Sequence, residues 1–239
     1  MNPAAIHIVD DDADVRDGLA WLFDSRGYQA ATWHGGDEFL QALGPQAAGA
    51  DWGTAVVLLD IRMAPLSGLA TFERLRQLGC PWPVLFLTGH GDVGMAVAAV
   101  KNGAWDFLEK PFQDNLLVDR VQQALAAASA RRSTDQEVQR LRAALASLSQ
   151  REREVLEELV HGHYNKTIGE HLGITQRTVE FHRANIFTKF GVQSAIELAH
   201  QLGRLQALPG GGGGTGEGAG GGTGTGSSGG DSKSSGEPF

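Results

Sequence analysis

The chain has 239 residues, 41% of them hydrophobic, which is enough for one large domain or for two smaller domains with a linker. No apolar run approaches the roughly 18 residues of a membrane span, and the N-terminal MNPAAIHIVDDD lacks the basic and apolar segments of a signal peptide. The chain has a net charge of −8, and residues 1–125 hold 16 acidic and 8 basic residues, which argues against nucleic-acid binding there. Residues 149–205 hold 7 of each, and this balance permits nucleic-acid binding.

The first 125 residues alternate short apolar runs with amphipathic helical patterns. The runs predict five strands, at Ile6–Val9, Tyr28–Trp33, Ala55–Leu59, Val84–Leu87 and Asp106–Leu108. Helices are predicted between them at Val15–Arg26, Asp37–Leu43, Leu69–Leu78 and Val93–Asn102, with a fifth from about Gln113. Glycines stand where helices should end, at Gly27, Gly79 and Gly103. This alternation, with the first, third and fourth strands apolar throughout, predicts an α/β fold with a doubly wound parallel sheet.

Polar residues follow the predicted strands at the points where these end. They are Asp10-Asp11-Asp12, Asp60, Thr88 and Lys110-Pro111. Because ligands bind at the carboxyl ends of parallel strands, we expect these side chains to meet at one edge of the sheet. Converging carboxylates repel each other unless a cation lies among them, and such oxygen ligands favour Mg²⁺, with Mn²⁺ as the alternative. A lysine and a hydroxyl at the same place suit a phosphoryl group, although each acidic loop end taken alone is more simply explained as solvated.

Four motifs, VDDD, LLDIRM, FLTGHGD and DFLEKPF, make residues 5–125 similar to the receiver domain of two-component response regulators. The resemblance implies a flavodoxin-like sheet of order 2-1-3-4-5, with Asp60 as the residue that accepts a phosphoryl group. It also implies a Mg²⁺ site formed by Asp10, Asp11, Asp60 and the backbone carbonyl of Arg62.

Further residues take their expected roles from the same resemblance. Thr88 and Lys110 would hold the phosphoryl oxygens, and Phe107 would be the aromatic residue that moves inward with Thr88. Pro111 would follow a cis peptide bond. The family usually has proline four residues after the phosphorylated aspartate, whereas here proline comes one residue later, at Pro65. This departure concerns the shape of the loop and leaves the acceptor unchanged.

The stretch Gly35–Phe39 reads GGDEF, the signature of enzymes that make cyclic di-GMP. In those enzymes the string lies on a hairpin deep within a larger domain, but here only 34 residues precede it, and a strand, a helix and another strand use them. The apolar residues Phe39, Leu40 and Leu43 share one helical face, and the two acids suit the first turn of a helix. The string therefore predicts the start of the second helix and not a cyclase.

Residues 116–148 keep a helical pattern, with Ser133-Thr134 as a possible break. Apolar residues follow a 3-4-3 spacing typical of a two-heptad seam, at Val138, Leu141, Leu145 and Leu148. Two interpretations stay open: the seam assists dimerisation, or it packs on a neighbouring domain of its own chain.

From Pro209 the chain is rich in glycine and serine and almost free of apolar residues, so we expect a disordered tail. The predicted divisions are 1–125, a helical linker at 126–147, a domain at 148–206 and the tail at 207–239.

Residues 148–206 carry four helical segments. The first, SQREREVLEELVHG, opens with the capping box SQRE. The second, NKTIGEHL, and the third, QRTVEFHRANIFTKF, are joined by the turn Gly173–Thr175, and AIELAHQL forms the last. Two short helices joined by such a turn predict a helix-turn-helix.

The third of these helices has an apolar face and a polar one. Val179, Ile186 and Phe190 share the apolar face and should point into the core. The opposite face and its flanks carry Arg177, Glu180, Phe181, Ala184, Asn185 and Thr188. An arginine, an amide and an exposed aromatic ring suit guanine, adenine and the thymine methyl group in a DNA major groove. Four residues are suited to phosphate contacts, namely Lys166, Thr178, Arg183 and Lys189. Thr175 belongs to the same predicted DNA-binding surface. A module that only packs four helices together would show the same pattern.

The segments LSQREREVL and NKTIGEHLGITQRTVEFHRANIFTKFGV, over residues 148–204, resemble the LuxR-type helix-turn-helix of the NarL/FixJ group of response regulators. The resemblance implies a transcription regulator and not an enzyme. A sensor histidine kinase would phosphorylate Asp60, and phosphorylation would promote homodimerisation and binding to promoter DNA, with RNA polymerase as a further partner. The single cysteine, Cys80, excludes an internal disulfide and suits the reducing cytoplasm, and we expect no contact with a membrane.

A module without net charge gains little from counterion release, so one copy should bind DNA weakly and a pair of copies much more tightly. Five of the eight histidines lie in it, and their spacing predicts neither a metal site nor a catalytic base.

Two rival functions are kept open. A phosphatase with an aspartyl-phosphate intermediate usually has a second aspartate two residues after the nucleophile, where this chain has Arg62. A signalling adaptor would use the last domain to bind protein instead of DNA.

Overall fold

The computed structural model describes residues 5–44, 51–89 and 93–207. The chain divides into two compact units, residues 1–150 and residues 151–239. The predicted tail lies outside the described residues from position 208 onward. In the described ranges, none of the helices combines the length and the apolar character needed to cross a membrane.

The first unit is built on a five-stranded parallel sheet of order β2-β1-β3-β4-β5. Its strands are β1 (Ala5–Val9), β2 (Gln29–Trp33), β3 (Ala55–Asp60), β4 (Val84–Thr88) and β5 (Asp106–Glu109). Its helices are α1 (Ala13–Asp24), α2 (Gly36–Leu43), α3 (Gly68–Gln77), α4 (Val93–Lys101) and α5 (Asp114–Ala146). The predicted doubly wound sheet is confirmed, with element boundaries within two residues of those expected from the sequence.

Both faces of the sheet are covered by helices, as the continuously apolar strands require. One core lies between the sheet and helices α1 and α5, and it includes Leu22, Leu58 and Leu117. The other core lies on the opposite face, where Phe39 of α2 and Phe72 of α3 pack with residues of β3 and β4. Successive residues of a strand point to opposite faces, so β3 supplies side chains to both cores.

The GGDEF string forms the start of helix α2, which begins at Gly36. Asp37 and Glu38 lie in its first turn, where carboxylates favour the helix dipole, and Phe39 is fully buried. Gly36 packs closely against α3, because a Cβ atom at this position would lie 1.9 Å from the hydroxyl oxygen of Thr71. The string therefore serves the entry and packing of a helix, as predicted.

Helix α5 is continuous over 33 residues, so the break considered at Ser133-Thr134 does not occur. The hydroxyl of Thr134 donates to the carbonyl of Ala130 at 3.1 Å, which lets the polar side chain stay within the helix. Arg132 donates two hydrogen bonds to the carboxylate of Asp51, at 3.0 and 2.6 Å. This ion pair links α5 to the segment before β3.

The second unit contains the helices α6 (Gln150–Val160), α7 (Asn165–Leu172), α8 (Gln176–Phe190) and α9 (Ala195–Ala207). Gly173 ends α7 in the left-handed conformation with φ +65°, and the Thr175 hydroxyl caps α8 by accepting from the Thr178 N–H. The three residues predicted to face the core, Val179, Ile186 and Phe190, are fully buried. The predicted helix-turn-helix is therefore present as α7, a short turn and α8.

His7 of β1 lies in a cluster of aromatic rings on the sheet. Its ring stacks on Trp82 with centroids 4.8 Å apart, and its Nδ1 atom accepts a hydrogen bond from Trp33 Nε1 at 3.2 Å. Phe39 completes the cluster at 5.3 Å. Burial lowers the pKa of His7 from 6.5 to about 4, because the apolar surroundings disfavour the imidazolium ion. His7 is therefore neutral near pH 7.

We predict that replacing His7 with glutamine removes much of the loss of receiver stability between pH 7 and pH 5. The unfolded chain takes up a proton at His7 near pH 6.5 and the folded chain only near pH 4, so stability present above pH 6.5 falls as the pH drops through this window. The His7 contribution at pH 5 is about 2 kcal/mol. Urea unfolding followed by tryptophan fluorescence measures it, since all 5 tryptophans precede residue 106.

The control is His161→Gln, because His161 is an exposed histidine outside the receiver. It should keep the pH dependence of the wild type. An unchanged pH dependence in His7→Gln would show that His7 is not the group responsible.

Candidate functional sites

Three charged side chains meet at the carboxyl ends of β1, β3 and β5. The Lys110 ammonium donates to Asp10 Oδ2 at 2.6 Å and to Asp60 Oδ1 at 2.7 Å. Asp10 is 1% exposed and Asp60 is 7% exposed. One ammonium between two nearly buried carboxylates leaves a net negative charge at this edge of the sheet.

The Lys110 ammonium is held in its charged form by these contacts. Its burial acts to lower its pKa, but the hydrogen bonds that it donates to Asp10 and Asp60, together with their negative charges, outweigh this effect. The pKa of Lys110 is therefore raised above its ordinary value. Lys110 thus provides a permanent positive charge beside Asp60.

The loop after β3 fixes the position of Asp60. The backbone N–H of Arg62 donates to Asp60 Oδ2 at 2.7 Å, and the N–H of Gly68 donates to the Ile61 carbonyl at 3.0 Å. The Ala64–Pro65 peptide bond in this loop is cis. A Cβ atom on Gly68 would lie 2.0 Å from the Asp60 carbonyl oxygen, so only glycine fits there without moving the backbone of Asp60.

The loop after β1 orients Asp10. The backbone N–H of Asp12 donates to Asp10 Oδ1 at 2.9 Å, and the Arg16 guanidinium donates to the Asp10 carbonyl at 2.6 Å. Asp12 in turn caps helix α1. Asp11, between them, is exposed. The three consecutive acids therefore differ in role: one faces Lys110, one faces solvent and one starts a helix.

Thr88 and Phe107 lie on the two strands beyond β3. Thr88 is fully buried, and its hydroxyl donates to the Gly89 carbonyl at 3.0 Å. The Lys110 N–H donates to the Thr88 carbonyl at 2.7 Å, and the Lys110–Pro111 peptide bond is cis. Phe107 is half-buried against the core under α2 and α3.

The second unit presents the polar face of α8 to solvent. Phe181 is 63% exposed although it is a large apolar residue. The other exposed residues of the predicted DNA surface are Lys166, Thr175, Arg177, Glu180, Ala184, Thr188 and Lys189. Three more are half-buried, namely Thr178, Arg183 and Asn185.

Two of the residues predicted to contact phosphates also form contacts within the unit. Lys189 donates to Glu152 Oε2 at 2.7 Å, and Glu152 is buried. The Arg183 guanidinium donates to Asn165 Oδ1 at 2.9 Å and lies 5.1 Å from the centre of the Phe187 ring. The pairing of Lys189 was missed in the sequence, because residues 152 and 189 are distant along the chain. Removing Lys189 would leave a buried carboxylate, so its loss affects folding as well as any DNA contact.

Two family descriptions match the chain, "Response regulator receiver domain" over residues 6–122 and "Bacterial regulatory proteins, luxR family" over residues 146–202. The transcriptional regulatory protein FixJ of Bradyrhizobium diazoefficiens is 41% identical over 193 residues, which cover 81% of this chain and 91% of FixJ. The chain belongs to the NarL/FixJ group of response regulators.

Two further similarities cover most of this response regulator. The C4-dicarboxylate transport transcriptional regulatory protein DctR of Rhodobacter capsulatus is 43% identical over 199 residues, covering 81% of this chain and 96% of DctR. The solved structure of response regulator StyR has a TM-score of 0.76 at 35% identity, covering 84% of this chain and 99% of that one. The protein is thus a two-component response regulator that regulates transcription through a receiver and a LuxR-type DNA-binding domain. Its GGDEF string lies inside the receiver match, and the prediction that it is no cyclase is confirmed.

We predict that Gly68→Ala lowers the free energy of unfolding of the receiver by about 1–3 kcal/mol, because the added methyl group displaces the backbone of Asp60. Tryptophan fluorescence during urea unfolding measures the change. The matched control is Gly18→Ala within α1, where an added Cβ atom meets nothing within 4 Å. That substitution should raise stability by about 0.5–1 kcal/mol. Equal stability of the Gly68 variant and the wild type would contradict the close packing described above.

Proposed function

We propose that Asp60 accepts a phosphoryl group from a sensor histidine kinase in the cytoplasm, and that the phosphorylated protein dimerises and binds promoter DNA. The observation that carries this proposal is the contact of Asp10, Asp60 and Lys110 at the carboxyl edge of the sheet. A nearly buried carboxylate beside a fixed ammonium is suited to accept a group that brings further negative charge.

In the proposed reaction, a carboxylate oxygen of Asp60 attacks the phosphorus atom of a phosphohistidine. A P–O bond forms as the P–N bond breaks, and the kinase imidazole leaves with the electron pair. The Lys110 ammonium, 2.7 Å from Asp60, is placed to neutralise charge on the transferred group. The N–H of Arg62 holds the second carboxylate oxygen and so limits the rotation of the nucleophile.

The donor atoms at this site fit Mg²⁺, or Mn²⁺ in its place. Receiver domains generally bind Mg²⁺ at the phosphorylation site. The residues that would hold the ion here are Asp10, Asp11, Asp60 and the carbonyl of Arg62. Asp10 and Asp60 share a single ammonium, so a dication would offset the negative charge that remains. When bound, the ion supplies further charge stabilisation to the phosphoryl oxygens.

The switch that we propose begins at Thr88. In the present conformation its hydroxyl is bonded to the Gly89 carbonyl. A phosphoryl group on Asp60 would offer this hydroxyl a charged acceptor, which makes a stronger hydrogen bond than a carbonyl. Thr88 would then move towards Asp60, and Phe107, which is only half-buried, would move into the space behind it.

Dimerisation through helix α4 and the start of β5 is supported by exposed apolar side chains. Met95 and Val97 of α4 are each 39% exposed, and Trp105, just before β5, is 41% exposed. Exposed apolar side chains of this size gain free energy when they are buried against another protein. Movement of Thr88 and Phe107 would alter β4 and β5 next to this surface, which couples phosphorylation to assembly.

Specific DNA binding is supported by the exposed face of α8. Arg177 and Phe181 are exposed to solvent, and their side chains are of the types that read base edges in a major groove. The equal numbers of basic and acidic residues in residues 149–205 imply weak binding by a single copy. A dimer on adjacent half-sites doubles the contacts, so dimerisation and DNA affinity should rise together.

We predict that phosphorylation with acetyl phosphate converts the wild type to a dimer and tightens promoter binding by at least about tenfold. Asp60→Asn should show neither effect, because the amide cannot form an acyl phosphate. Sedimentation velocity measures the assembly, and fluorescence anisotropy with labelled promoter DNA measures the affinity. The control is Asp119→Asn, which changes an exposed aspartate of α5 and should behave as the wild type.

Equal DNA affinity in the phosphorylated, unphosphorylated and Asp60→Asn proteins would refute the proposed switch. Phosphorylation that persists in Asp60→Asn would show that the acceptor lies elsewhere.

We predict that Arg177→Ala and Phe181→Ala each weaken binding to the specific promoter by about 1–3 kcal/mol and relax the base preference. Lys166→Ala should weaken binding to all sequences alike and reduce its salt dependence. The control is Arg153→Ala, an exposed arginine on α6. Unchanged affinity in both the Arg177 and Phe181 variants would favour the adaptor function, in which this domain binds protein.

A further inference from the structure

Three side chains of the second unit, from α6, from α7 and from the turn between them, converge on one point. Glu158 Oε2 is 2.7 Å from His163 Nδ1 and 2.9 Å from His171 Nδ1. One ligand atom from each of the three residues can be chosen so that all lie within 4.8 Å of one another. The two imidazole rings stand edge to face, with centroids 5.2 Å apart and an interplanar angle of 87°. Both rings therefore direct their Nδ1 atoms at Oε2 of Glu158.

The local fold explains why these residues meet although they are separated in sequence. Helix α6 ends at Val160, and Gly162 reverses the chain with φ +82°. The N–H of His163 donates to the backbone carbonyl of Glu158 at 3.2 Å, which brings the histidine back beside the last turn of α6. His171 lies near the end of α7, on the side that faces this turn. The spacing of the histidines alone predicts no metal site, because it does not show that the fold brings Glu158 of α6 beside two of them.

We propose that Glu158, His163 and His171 bind a transition-metal dication such as Zn²⁺, Ni²⁺ or Co²⁺. Two imidazole nitrogens and one carboxylate suit these ions, whereas Mg²⁺ and Ca²⁺ prefer ligands that are all oxygen. Three protein ligands leave at least one coordination position for water.

The site is accessible and needs little rearrangement to take the ion. The side chains of Glu158, His163 and His171 are 22%, 40% and 48% exposed, respectively. Without an ion, each Nδ1–H donates a hydrogen bond to the Glu158 carboxylate, because an ionised carboxylate can only accept. On coordination the Nδ1 lone pair faces the metal, and the proton passes to Nε2 of a neutral ring or to solvent from a charged one.

A bound ion would join α6 to α7, the first helix of the helix-turn-helix. Its ligands come from α6, from the turn after it and from α7, and so the ion would cross-link two elements that otherwise separate on unfolding. An ion that binds the folded unit and not the unfolded chain raises the stability of that unit. This inference does not depend on phosphorylation or on DNA binding.

The test is isothermal titration calorimetry of the full chain with ZnCl₂, in the presence of excess Mg²⁺ to occupy the acidic edge of the receiver. We expect one Zn²⁺ per chain in the wild type. Glu158→Gln, His163→Gln and His171→Gln should each weaken binding by at least about tenfold, since even the loss of a residue behind a ligand costs this much. The matched control is His200→Gln, an exposed histidine on α9 that lies outside the cluster and should bind as the wild type.

A second measurement separates loss of a ligand from loss of the fold. Far-UV circular dichroism should show the thermal transition of the helical unit rise with Zn²⁺ in the wild type and in His200→Gln, and stay fixed in the three ligand variants. Tryptophan fluorescence, which reports only the first unit, should not change with Zn²⁺. The proposal is overturned if no Zn²⁺ binds, if the three variants bind as tightly as the wild type, or if Zn²⁺ shifts only the tryptophan transition.

Discussion

The receiver depends on one electrostatic constraint: two nearly buried carboxylates, Asp10 and Asp60, share the single ammonium of Lys110. Removing carboxylates from water is costly unless a positive charge compensates. Parallel register meets this requirement, because Val9 pairs with Leu59 and the next residue of each strand is the aspartate. Thr88 pairs with Glu109, the last residue of β5, so Lys110 lies one residue beyond the end of that strand. The sheet topology therefore brings these groups to one edge, and the negative charge that Lys110 leaves uncompensated there favours the binding of a dication.

Much of this arrangement could be predicted from the sequence. Continuous apolar runs mark buried parallel strands, and the polar residue after each run marks its carboxyl end. Asp10, Asp60, Thr88 and Lys110 were placed at one edge on this basis, and the structure brings Asp10, Asp60 and Lys110 into direct contact. The pattern of α8 likewise separated its buried face from its exposed one, because a helix repeats every 3.6 residues.

Other features escaped prediction because they depend on distances between elements. Gly36 and Gly68 look like ordinary helix starts, and only the packing shows that a methyl group would strike Thr71 or the Asp60 carbonyl. The sequence pattern predicts Lys189 as a phosphate contact, whereas in the structure it also forms an ion pair with the buried Glu152. Local propensity was also misleading at Ser133 and Thr134, where helix α5 is continuous and the threonine hydroxyl donates to the backbone of the preceding turn.

The histidines show how surroundings decide the chemistry of one residue type. His7 is enclosed by aromatic rings, which keep it neutral and make it a packing residue with one fixed acceptor. His163 and His171 lie at the surface and point at a carboxylate, so their nitrogen atoms stay available to an ion. No sequence spacing distinguishes these cases, since the first depends on the sheet and the second on a turn between helices.

The uninterrupted course of α5 restricts how the chain length between the domains can vary. A helix of 33 residues is a rod of about 50 Å, and each residue adds a rotation of about 100° around its axis. A single inserted or deleted residue beyond the receiver core would therefore change the direction in which the polypeptide leaves the rod, whereas an insertion close to two full turns would nearly preserve it.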